Sequence, residues 1–81
     1  MTADSLQKEL AKGWAMLTFQ YHGKEGHVDP YSTLKDSFSC LLWYDRTEKL
    51  AHSMQEVMET PIFDGHSLRD IAEDISGVDW D

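Results

Sequence analysis

The stretch Phe38-Ser39-Cys40-Leu41-Leu42-Trp43-Tyr44 is the most apolar in the chain, and it fills both sides of an extended backbone. Phe38, Cys40, Leu42 and Tyr44 would lie on one side, Leu41 and Trp43 on the other. A run of this kind needs sheet neighbours, and it is expected to be the central strand of a small β-sheet. From Trp14 to Tyr21 the pattern is alternation, with Ala15, Leu17, Phe19 and Tyr21 on one face and Trp14, Met16, Thr18 and Gln20 on the other, which reads as a strand covered on at least one side. His22-Gly23-Lys24-Glu25-Gly26 then suits a turn, because glycine adopts positive φ without cost, and His27 to Tyr31 completes a hairpin. Pro30 has no amide hydrogen, so its strand is expected to be short or to lie at an edge. Past a polar segment at 32–37, broken only by Leu34, and the apolar run, Asp45-Arg46-Thr47-Glu48 forms a second turn and Lys49 to His52 a brief fourth strand.

Helical spacing brackets these strands. Thr2 to Ser5 offers caps for a helix carrying Leu6, Leu10 and, at its end, Trp14, with Gly13 as its stop. Ser53-Met54-Gln55-Glu56 has the form of a capping box, followed by Val57 and Met58 on the face shared with Met54 and by Pro61 as terminator. Ser67-Leu68-Arg69-Asp70 repeats that form, and Leu68, Ile71, Ala72 and Ile75 give an i, i+3, i+4, i+7 stripe. Gly77 would end this last helix, leaving 76–81 as an acidic tail. The expected fold is α+β: a small antiparallel sheet of three to four strands, with an N-terminal helix and two C-terminal helices packed on it.

At 81 residues the chain makes one domain, 1–81, and buries only about 60–65% of its unfolded surface, so core changes should be felt. Cys40 is alone and cannot form an internal disulfide. Met1 to Lys12 lacks the basic start and apolar run of a signal peptide, and no window approaches the roughly 18 apolar residues of a membrane span. The expected location is cytoplasmic, with no membrane partner.

Charge is the feature that bears on function. Residues 53–81 hold eight carboxylates against Arg69 alone, whereas residues 1–52 balance seven acids with six bases. A field of this sign repels nucleic acid and draws basic surfaces. On the expected last helix Asp70, Glu73 and Asp74 stand at i, i+3 and i+4, facing away from the apolar stripe, and Glu56 and Glu59 add to them from the helix before. The plain alternative is a solvated face that serves solubility. Trp80, flanked by Asp79 and Asp81, suits docking on a surface both apolar and basic, or else folds back on the sheet.

Other chemistry is weakly signalled. His22, His27 and Asp29 flank one turn and would be the residues of a metal-dependent enzyme, but the spacing matches no zinc pattern, and CxxC and HExxH are absent. Cys40 lies mid-strand among apolar residues, where a thiol is inert. No phosphate-binding glycine loop or cofactor motif is present, and no catalytic residues are expected.

Tyr21 to Tyr31, then Leu42-Trp43-Tyr44-Asp45 and Ile62-Phe63-Asp64-Gly65-His66-Ser67-Leu68, resemble small uncharacterised acidic proteins carried by bacterial phages and mobile elements. In size and charge such proteins are similar to inhibitors of nucleic-acid-binding enzymes and to toxin-neutralising immunity proteins. The resemblance implies a non-enzymatic binding protein of either type. Its acids would occupy a basic site on a nucleic-acid-binding or nuclease partner as a nucleic-acid mimic, without binding nucleic acid itself. Glu56, Glu59, Asp70, Glu73, Asp74 and Trp80 are the expected contact residues. The alternative is a structural subunit or homodimer joined through the strand edge Lys49 to His52 or His27 to Tyr31.

Overall fold

The computed structural model describes residues 2–12, 15–32 and 39–80. Met1, Gly13, Trp14, the segment 33–37, Phe38 and Asp81 lie outside them. The order of elements is α1 (Ala3–Ala11), β1 (Leu17–Tyr21), β2 (Lys24–Ser32), β3 (Ser39–Tyr44), β4 (Thr47–Ala51), α2 (Met54–Glu59), α3 (Leu68–Ile71) and β5 (Ser76–Trp80). The α+β class holds, with the one N-terminal and two C-terminal helices, but the antiparallel sheet has five strands, in the order β4-β3-β2-β1-β5.

Both hairpin turns are tighter than the stretches His22–Gly26 and Asp45–Glu48 expected from the sequence. His22 and Gly23 take φ of 51° and 74°, the left-handed pair that matches strand twist in a two-residue hairpin, so Lys24 is already paired with Tyr21. Asp45 and Arg46 alone join β3 to β4, whose Thr47 pairs with Tyr44. The longer β2 that results is the middle of the sheet, and the Ser39–Tyr44 part of the apolar run supplies an interior strand one place off centre. Pro30 is tolerated in a middle strand because β1 begins at Leu17, opposite Val28, so residue 30 overhangs it. The β2–β3 register also shifts between Pro30 and Ser32.

The residues expected to form an acidic tail make β5, which lies antiparallel to β1. Thr18 pairs with Asp79 and Gln20 with Ser76, which leaves Gly77 and Val78 together opposite Phe19. This is a bulge, and Gly77, at φ 59°, supplies the left-handed residue it requires. The last helix is shorter than its stripe. Leu68, Ile71 and Ala72 are buried and Ile75 packs against the core, yet helical backbone ends at Ile71. Two acids, Glu73 and Asp74, sit where a longer helix would have its negative C-terminal end, and the chain must turn there to bring β5 beside β1.

All three helices cover one face of the sheet. Leu6 and Leu10 of α1, Val57 and Met58 of α2, and Leu68 and Ile71 of α3 join Leu17, Phe19, Val28, Leu42 and Tyr44 in one buried cluster. Among the described residues no helix is long and apolar enough to cross a membrane. At the centre Phe19 lies over Gly26, its cross-strand partner: a Cβ at position 26 would stand 2.5 Å from Phe19 Cζ. Phe19 is fully buried, so its ring cannot make room without displacing packed neighbours. Gly26→Ala should therefore cost about 1–3 kcal/mol in urea unfolding, the cost of overpacking, although alanine suits a strand better than glycine does.

Candidate functional site

The expected contact residues fall into two groups. Glu56 and Glu59 of α2 line an open groove of about 500 Å³, shared with Lys49 of β4 and with Thr60 and Pro61. Asp70 and Asp74 lie three strands away, at the β1 side. There their charges, with that of Asp64, act on the Tyr21 hydroxyl, whose pKa is raised first by burial and then by Asp74, Asp64 and Asp70. The single row of three acids on one long helix does not form, because α3 stops at Ile71 and Glu73 and Asp74 belong to the turn beyond it.

Two of the acids have local duties. Ser67 Oγ accepts from the Asp70 amide at 3.2 Å, and the Asp70 carboxylate accepts from the Ser67 amide at 3.3 Å, a complete capping box. At α2 the Glu56 amide donates to Ser53 Oγ at 3.1 Å, while the Glu56 carboxylate reaches one residue further back, to the His52 amide at 3.4 Å. Glu59, Glu73 and Asp74 are exposed and make no ion pair with any described residue. Trp80 is half-buried, opposite Leu17 on β5 and packed against the core, so only part of its ring is presented outward.

The most connected polar residue is one that the charge pattern did not single out. Asp64 and Gly65 form a two-residue turn, at φ 55° and 82°, closed by reciprocal Phe63–His66 backbone hydrogen bonds of 3.0 Å. From that turn Asp64 reaches three side chains of the β1–β2 hairpin and β3. Tyr44 Oη is 2.9 Å from Oδ2, His22 Nδ1 is 3.1 Å from Oδ2, and Lys24 Nζ is 3.3 Å from Oδ1. The Tyr44 hydroxyl also lies 2.8 Å from the Tyr21 carbonyl; its one hydrogen serves one acceptor at a time, and the carboxylate is the stronger. Phe63, beside Asp64, packs at 5.5 Å from the Phe19 ring and 5.4 Å from that of Tyr44. These contacts clasp the α2–α3 connection onto the sheet. The Asp-Gly pair was visible as a loop, but nothing in the sequence links it to Lys24, forty residues away.

The residues of the metal reading separate. His22 turns to Asp64, while His27 lies on the other face of the sheet, 3.0 Å from Glu25 Oε2 and edge-on to Trp43 at 4.7 Å. Among the described residues no three His, Cys, Asp or Glu side chains come together as a metal site. Cys40 is buried, and burial, helped by the charge of Asp29, pushes its thiol up to about 12, as expected for a core cysteine. Of the two strand edges read from the sequence, Lys49 to His52 overlaps the true edge strand β4, whereas His27 and Val28 are paired on both sides. Compared with protein-family models, with curated proteins and with solved structures, the chain matches none.

The clasp has a pH signature. Hydrogen bonding from Tyr44, and then from His22 and Lys24, holds the Asp64 carboxyl below its usual 3.8 against the opposing effect of burial. Its contribution to stability is therefore full above that value and lost as pH falls through the lower folded pKa. The Tyr44 hydroxyl is raised to about 12 by burial and then by Asp64, so its contribution holds below 10 and is lost as pH rises toward 12. Tyr44→Phe should cost about 1–3 kcal/mol at neutral pH. Asp64→Asn should lower the neutral-pH Tm and flatten the fall of Tm below about pH 4, both read by circular dichroism across a pH series.

Proposed function

We propose that this chain is a non-enzymatic binding protein whose C-terminal acids occupy a basic site on a protein partner. That partner would be a nucleic-acid-binding or nuclease protein, blocked as by a nucleic-acid mimic or neutralised as by an immunity protein. The observation that carries this reading is the concentration of charge: eight carboxylates against one arginine in residues 53–81. Glu59, Glu73 and Asp74 stand exposed and unneutralised by any described cation. Charges without a structural partner are free to steer an encounter, and they lose little when a cation of another molecule meets them. Asp70 and Glu56 add field while serving as caps, and the outward part of Trp80 adds apolar contact at the sheet edge.

The test is affinity capture of the tagged chain from its native lysate, beside the same chain carrying Glu59→Gln, Glu73→Gln and Asp74→Asn. The native chain should retain a nucleic-acid-binding protein that added DNA or RNA displaces. The neutralised chain should retain it weakly while melting at the same temperature. For the isolated partner, association should slow roughly tenfold or more between low and physiological salt. A partner held equally by both chains, or bound at a salt-independent rate, would sink the reading.

A further inference from the structure

The helices leave the other face of the sheet bare. The register carries one row of side chains across all five strands on that face: Glu48 of β4, Trp43 of β3, His27 of β2, Thr18 of β1 and Asp79 of β5. Beside it runs a second row of Leu50, Leu41 and Asp29. None of these eight residues is buried, whereas on the helical face Leu42, Val28 and Leu17, paired in the adjoining row, are each wholly buried. Leu50, at 44%, is one of two exposed large hydrophobics among the described residues, and it continues into Leu41 and Trp43 as one apolar strip. Acids rim the strip. Glu48, Asp29, Glu25 and Asp79 face outward here, and neither lysine of the described strands does, since Lys24 and Lys49 pair into the rows of the opposite face.

We infer that this open sheet face is a docking surface for a cationic amphipathic segment of a partner protein, one that places large apolar side chains on Leu41, Leu50 and Trp43 and arginine or lysine against the carboxylate rim. Charge decides the occupant. A second copy of the chain would set four carboxylates against four, and a nucleic acid would add phosphates to them; a basic segment neutralises them. The Trp43 ring, packed against His27 at 4.7 Å, is only part-buried, and a guanidinium binds tryptophan better than it binds the other aromatics. A helix of about 14 residues spans roughly 21 Å, enough to cross the ~19 Å from β4 to β5. This surface is distinct from Glu59, Glu73 and Asp74 and stands without them.

The probe is a synthetic helical peptide of leucine and arginine, with leucines along one face and arginines on its flanks, titrated into the isotope-labelled chain. Amide shifts should concentrate at residues 41, 43 and 50 and at the Trp43 indole, not at 59, 73 and 74. Leu50→Lys and Glu48→Lys, both exposed edge-strand changes verified by an unaltered Tm, should each weaken binding about tenfold, the loss of one apolar or charged contact. The chain with Glu59→Gln, Glu73→Gln and Asp74→Asn should bind the peptide within about threefold of the native chain, which separates this surface from the acids of the proposed function. Shifts confined to the C-terminal acids, undiminished binding by Leu50→Lys, or equal affinity for a leucine-free arginine peptide would overturn the inference. So would sedimentation showing that the chain alone pairs through this face.

Discussion

The ring of Phe19 fills the space that a side chain at position 26 would need, and the helical layer is seated around that ring. Because Gly26 leaves the cavity open, β1 and β2 approach without a cross-strand clash, and Phe63 can meet Phe19 from the α2–α3 connection at 5.5 Å. Phe63 in turn sets the position of Asp64, whose carboxylate is shared among Tyr44, His22 and Lys24. An apolar contact thus aims a charged one: dispersion and burial hold the loop down, and the carboxylate fixes how it lies. The β1–β2 hairpin and α3 are joined through this clasp, and the chain leaving α3 is thereby directed back to the open side of β1.

Residues that determine local backbone were the legible part. The two serine caps, the alternation that buries Leu17, Phe19 and Tyr21, the extended backbone of the apolar run and the stop at Pro61 each act over a few residues, and each appears as expected. What was not legible depends on partners far along the chain. Val78 and Trp80 lie among acids and glycine, a poor strand by propensity, and become β5 only because β1 has an unpaired side for them to join. The same return of the chain cuts α3 to Leu68–Ile71, although its apolar stripe continues into the core to Ile75. Period predicted which side chains are buried there, and tertiary pairing decided the backbone that carries them.

The candidate site was legible as composition and not as geometry. The charge imbalance can be counted from the sequence, but helical spacing proposed one surface, and the fold distributes its acids between the α2 groove and the β1 side, with Asp70 and Glu56 bound into caps. Asp64, a carboxylate of the same segment, is the acid of residues 53–81 that ion-pairs with other described residues. The apolar strip on the bare sheet face was hidden for a different reason. Leu41 and Trp43 looked like the second buried side of a central strand, and only the placement of all three helices on the opposite face exposes them.

The bulge at Gly77 and Val78 gives the sheet two unlike margins. Along β5 the free amides and carbonyls fall out of step midway, so an incoming strand would find no continuous ladder to extend. Along β4 the register is unbroken from Thr47 to Ala51, and Glu48 and Lys49 alternate in sign there. Accretion by backbone pairing is thereby confined to a single flank, where it must also satisfy opposed charges, and the molecule is terminated against the two-sided stacking from which filaments grow.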